Sequence, residues 1–210
     1  MKIITIIIIL VVGFQSFSLA QSDIASDQQG SFSHAQKMIS FVPQYLGKSG
    51  LRIDYDLRLN HKHWLQFAPT IYLQNNEISH SSHGANFNHL IGSGLHIYHR
   101  FYPENEISYP GIYISWGGVY QYYVINYNEQ MENSEMKRHS TIQKVGGDVI
   151  IGINTRLIEP VLIDFYAGMG LRHSFLESDA LNPKRFDELY SDYGYTGNIL
   201  ILGIRISLPF

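Results

Sequence analysis

The chain contains no cysteine. That rules out disulfides and also a lipid-anchored amino-terminal cysteine in an exported protein, so packing and hydrogen bonding have to supply the stability. Charge is scarce as well: 16% of the 210 residues are charged, against 45% hydrophobic and 13% aromatic, a balance that argues against disorder. A formal net charge of -3 offers no basic face or groove for nucleic acid, and that class of partner is excluded. Long apolar runs are missing after the first residues. No later stretch approaches the roughly 18 continuous apolar residues of a membrane-crossing helix, so any bilayer insertion of the mature chain would have to use strands.

Residues 1–20 have the pattern of a secretory signal: Lys2, an apolar core from Ile3 to Phe14, and the small-residue site Ser18-Leu19-Ala20 before Gln21. The polar, aperiodic residues 21–37 are expected to form a flexible lead-in, with one domain over residues 38–210.

That domain is most legible at its end. Leu200, Leu202, Ile204, Ile206, Leu208 and Phe210 share one strand face, and Gly203, Arg205 and Ser207 share the other. The segment exceeds the roughly 9 to 11 residues that a tilted strand needs to cross a bilayer. Similar alternation predicts strands at Met38 to Leu46, Leu51 to Leu59, His63 to Leu73, His89 to Phe101, Gly111 to Tyr127, Thr141 to Ile158, Val161 to Phe175 and Gly197 to Phe210. The expectation is an all-β fold, an eight-stranded antiparallel transmembrane β-barrel. An even strand number suits it, as do the connections, short at one end (Asn60 to Lys62, Glu159 to Pro160, with Tyr102 to Pro110 longer than expected) and longer at the other (Gln74 to Asn88, Asn128 to Ser140, Leu176 to Thr196, with only Gly47 to Gly50 tight). Both termini would then face the periplasm.

A soluble lipocalin-like barrel binding an apolar ligand also alternates, with its apolar face inward. Two features favour the membrane reading. The polar face is rich in glycine (Gly92, Gly94, Gly117, Gly152, Gly168, Gly170, Gly203), which suits a narrow lumen, and its charges are Arg and Asp with hardly a Lys or Glu.

The signal followed by Gln21, the Gly92-x-Gly94 strand running into Tyr98-His-Arg-Phe-Tyr-Pro103, the Gly168-Met-Gly170 strand and the terminal Phe210 carry a resemblance. From Met38 to Phe210 the chain resembles the small eight-stranded outer-membrane barrels of OmpA/OmpX type, above all the short barrel proteins of Bacteroidetes-type bacteria. The resemblance implies the outer membrane of a Gram-negative bacterium, outer-membrane lipid as surroundings, and Phe210 as the membrane-assembly signal read by the barrel-assembly machinery.

Arg52, Asp54, Asp56, Arg58, Arg100, Asp148, Arg156, Asp164, Arg172 and Arg205 all have inward parity. An eight-stranded barrel is only just wide enough for side chains to fill, so these are expected to form an interior ion-pair network, with Asp164 meeting Arg205 and, as a second partner, Arg156. His80 and His83, with His89 nearby, invite a metal reading, but only Glu77 accompanies them and no cysteine. They read as a hydrated loop, with no metal and no cofactor expected. Some eight-stranded outer-membrane barrels modify lipid A through a His-x-Ser pair. Here the pair is His173-Ser174, and adjacent strand residues face opposite sides, so no catalytic residues and no enzyme are expected. Trp116, Tyr120, Tyr122 and Tyr55 suit interface girdles. The loop from Leu176 to Thr196, with Phe186, Leu189, Tyr190, Tyr193 and Tyr195, is the candidate for a surface partner.

Overall fold

The computed structural model describes residues 35–75, 88–103, 111–131, 134–180, 183–189 and 192–210. Eight strands form one closed antiparallel barrel in sequence order: β1 (Lys37–Phe41), β2 (Gly50–Arg58), β3 (His63–Asn75), β4 (His89–Phe101), β5 (Gly111–Met131), β6 (Ser134–Ile158), β7 (Val161–Ser178) and β8 (Gly197–Pro209). Closure is made by β1 and β8, where Lys37 and Phe210 exchange both backbone hydrogen bonds at 3.1 and 2.9 Å and Ser207 donates to Ser40 at 2.8 Å.

The strands turn their apolar face outward. Ile53, Leu95, Ile97, Val149, Ile151, Phe165, Met169 and Leu202 are exposed on the outer wall, while Asp54, Gln66, His96, Arg100 and Asp164 are buried inside. This is the inverse of a lipocalin-like barrel, and it is stable only where the surroundings are apolar. Trp116, Tyr120 and Tyr122 lie on the outer wall as parity requires. Near the turn end of β3 and β4, His63 and His99 are 3.0 Å apart through ring nitrogens, and His99 packs on Trp116 with centroids 4.5 Å apart. Rings with an apolar body and a polar tip suit an interface.

Two predicted segments need correction. Met38 to Leu46 is not one strand: β1 stops at Phe41, and Pro43–Lys48 forms a 3-10 segment ending in a left-handed Ser49. Proline has no N–H for the ladder and starts this segment instead. Asn128 to Ser140 is not a loop through its described part, because β5 and β6 stay paired from Gly111↔Asn154 up to Met131↔Ser134. Above the apolar belt no lipid selects for alternation, so a paired ribbon there is polar and reads as a loop.

Candidate functional site

The lumen contains two ionic clusters. In the half nearer the turns, Arg205 lies 3.2 Å from Asp164 and 3.3 Å from Asp54, with its guanidinium 4.4 Å from the centre of the Tyr166 ring. Tyr113 donates to Asp164 at 2.7 Å and accepts from Arg205 at 3.1 Å. Arg100, fully buried, is 3.4 Å from Asp56 and 3.9 Å from Asp164, and its guanidinium sits 4.4 Å from the centre of the Tyr113 ring. Arg52 reaches Asp54 through two nitrogens, at 2.6 and 3.0 Å. The second cluster is nearer the loops, where Arg172 binds Asp148 through two nitrogens and Tyr98 donates to the same carboxylate.

Strand pairing explains the meetings. Asp164 and Arg205 are directly opposed on β7 and β8, and charges sharing an inward face at one height neutralise each other in a low-dielectric lumen. Arg58 and Arg156 are the exceptions to the predicted network. Arg58 is the last residue of β2 and turns to the Asn60 carbonyl at 3.3 Å and to His61. Arg156 pairs with Glu159 at 3.1 Å at the β6–β7 turn, and Asp164 takes Arg205 and Arg100 as its ion-pair partners. Both arginines have inward parity but sit at the rim, since parity sets the side of the wall and not the depth.

The inward tyrosines are what sequence reasoning read only in part: parity places Tyr98 and Tyr166 on the polar face, but the role of tyrosine in filling the lumen was missed. Tyr72, Tyr98, Tyr102, Tyr113, Tyr123 and Tyr166 all point inward and are buried. Their signal was present: Tyr113 and Tyr123 share parity with Gly117. Inward glycines make room for them. A Cβ at Gly152 would lie 2.6 Å from the Tyr113 ring edge, and one at Gly203 would strike the Tyr166 ring and the Gln44 amide.

The loop end carries an aromatic cap. Phe186, at positive φ, and Tyr193 are buried with Tyr72, Tyr123 and Tyr127, and the Phe186 and Tyr127 rings meet edge-on with centroids 5.5 Å apart. Burial and the neighbouring Asp192 carboxylate push the Tyr193 phenol up to about 12, so it stays a neutral donor to the Gln74 carbonyl oxygen at 3.3 Å. The loop expected to be adhesive therefore turns two of its aromatics inward. Leu189 remains exposed and Tyr195 half-buried, and Tyr190 lies outside the described residues.

His80, His83 and Glu77 also lie outside the described residues, whereas His89 is exposed at the start of β4, beside an open polar recess of about 740 Å³. Among the described residues no group of three or more His, Cys, Asp or Glu side chains gathers as a metal site. His173 faces outward against Phe175, and the Ser174 hydroxyl donates to the Tyr195 carbonyl at 3.0 Å, so the two are not hydrogen-bonded as nucleophile and base.

A solved structure shares this fold. The crystal structure of a major outer membrane protein from Thermus thermophilus superimposes with a TM-score of 0.51 and 8% sequence identity, covering 84% of this chain and 100% of that one. The fold is that of an outer-membrane β-barrel. No protein-family model matches this barrel, and no curated protein matches it in sequence. An outward apolar belt and an inward ionic lumen agree with a transmembrane barrel on physical grounds.

Proposed function

We propose that this is a surface scaffold of a Gram-negative outer membrane, of the small OmpA/OmpX-type class, with both termini in the periplasm and no catalytic role. One observation carries this reading: the lumen is blocked at two levels, by the Arg205–Asp164–Arg100 cluster toward the turns and by the Phe186–Tyr193 cap at the loops. An eight-stranded barrel blocked at two levels has no through-path for solutes, and its exposed outer rim becomes the part that meets other molecules. That rim includes the extended β5–β6 ribbon and the polar recess beside His89 and His139. Phe210, exposed and tied to Lys37 at the closing seam, suits a role as the signal for the barrel-assembly machinery.

The mature chain, refolded and inserted in planar lipid bilayers, is expected to give no single-channel conductance steps. Its SDS-gel mobility should shift on boiling, as a closed barrel resists SDS until heated. Discrete conductance steps from heat-shiftable protein would replace the scaffold reading with a channel. Altered lipid A on expression would replace it with a lipid-modifying enzyme.

A further inference from the structure

The barrel wall is incomplete along one seam. β1 meets β8 only from Met38↔Pro209 to Phe41↔Ile206. Beyond Phe41 the chain leaves the wall as the 3-10 segment, so β8 from Gly197 to Arg205 has β7 on one side and, among the described residues, no strand on the other. The exchange of bonds between Lys37 and Phe210 sets the even-numbered residues of β8 as those whose N–H and C=O point to the seam. Gln44 meets the Ile204 N–H through its side-chain oxygen at 3.5 Å. Leu202 and Leu200 come next, and among the described residues no backbone partner reaches them from that side. A bare strand edge at membrane depth is tolerated where it borders a polar cavity.

It borders one. A cavity of about 260 Å³ lies behind the seam, and its wall includes Leu200 and Leu202, whose side chains are 66% and 64% exposed on the outer face. Gln44, Tyr45 and Lys48 of the 3-10 segment line it together with Ile199 to Leu202 of β8, so the cavity reaches the junction between that segment and the unpaired strand edge. Its lining is cationic: Lys48, Arg52, Lys144 and Arg172 against Asp148 and Asp192. Arg52 and Arg172 are engaged by Asp54 and Asp148. Lys144 is not so matched. It is 6% exposed, its ammonium donates to the Asp192 backbone carbonyl at 2.8 Å, and no carboxylate lies within ion-pair distance among the described residues. The Asp192 carboxylate faces it from beyond ion-pair distance, and a buried ammonium with so remote a counter-charge gains from an anion in direct contact. His96 lines the same cavity, 2% exposed, and its Nε2 has no partner among the described residues.

We propose that this chamber holds the phosphate-type anionic headgroup of an outer-leaflet amphiphile. The headgroup enters laterally between β8 and the 3-10 segment, while the acyl chains stay outside against Leu46, Leu200 and Leu202. Size supports the division: about 260 Å³ is below the roughly 300–1,000 Å³ of pockets that enclose a whole drug-sized ligand, so it takes a headgroup and leaves the chains in the bilayer. The choice of leaflet rests on the orientation proposed above; the lateral route does not.

The test titrates refolded mature protein in dodecyl maltoside micelles with dodecyl phosphate and, separately, with inorganic phosphate, followed by calorimetry. Dodecyl phosphate is expected to saturate and to bind at least tenfold more tightly than inorganic phosphate. Lys144→Met should weaken it at least fivefold while the heat-dependent gel shift is retained. If Lys144→Met loses the shift, Lys48→Gln at the exposed mouth takes its place under the same criterion. Equal binding of inorganic phosphate overturns the lateral route. Absence of saturable binding, or unchanged binding in the folded variant, overturns the site. The gel shift and bilayer conductance are separate readouts, so failure of the scaffold reading is distinguishable from failure of this one.

Discussion

Asp164→Ala is expected to lower the unfolding free energy of the lipid-embedded barrel by about 3–5 kcal/mol, the usual range for removing one partner of a buried ion pair. The loss is large because two cations depend on this carboxylate. Among the described residues Arg205 would keep only Asp54, which it already shares with Arg52, and Arg100 would keep only Asp56 at 3.4 Å. Tyr113 would lose its acceptor in a site with no water-exposed alternative. Urea unfolding in lipid vesicles, followed by tryptophan fluorescence, measures the effect. Glu188→Ala, on an exposed loop residue, is the comparison and should stay within about 0.5 kcal/mol. Adding Arg205→Met to Asp164→Ala should recover part of the loss, since it removes the stranded guanidinium while Asp54 keeps Arg52. Equal shifts in the Asp164 and Glu188 variants would remove the network as a determinant of stability.

Gly152→Val is expected to cost about 1–3 kcal/mol or more, by overpacking. The added Cβ would overlap the Tyr113 ring, and that ring cannot swing aside because Asp164, Arg205 and Arg100 hold it from three directions. The strain would pass to the β5–β6 pairing. Gly118→Val gives the contrast: Gly118 faces outward, and a Cβ there meets nothing nearer than the Gly146 carbonyl oxygen at 3.9 Å. The same urea series should show Gly118→Val close to wild type or slightly more stable, because valine favours strands. Matching losses at the two glycines would mean that the wall resists an added side chain on either face, and that the close approach of Tyr113 does not explain the inward glycine.

Much of this architecture is legible in the sequence, for a physical reason. Where one face of a strand meets lipid and the other meets a narrow lumen, the two demands are opposite and the side-chain period is two, so Leu51 to Leu59 or Gly197 to Phe210 can be read by parity alone. The reading fails wherever lipid stops imposing that contrast. The β5–β6 ribbon above the belt is polar and still paired. Val42-Pro43 ends β1 early although Phe41 and Leu46 look like strand residues. Depth along the axis is also hidden. Arg58 and Arg156 have the parity of Arg100 and Arg205 but sit at the rim, because tilt and stagger of the strands decide which inward residues share a height. The cap was missed for another reason. Phe186 and Tyr193 lie in a segment without periodicity, and only the folded loop shows that they point in.

The uneven pairing around the barrel also bears on how the wall would part. β5 and β6 are in register from Gly111 to Met131, whereas β1 holds β8 through four residues and one terminal pair. Under pulling force, or in the last moments of insertion, the molecule therefore behaves as a rolled sheet fastened through the short β1, which pairs with β2 over five residues and with β8 over fewer. The long pairings from β2 to β8 hold while β1 comes away, and β1 is the strand left to fasten when they are complete.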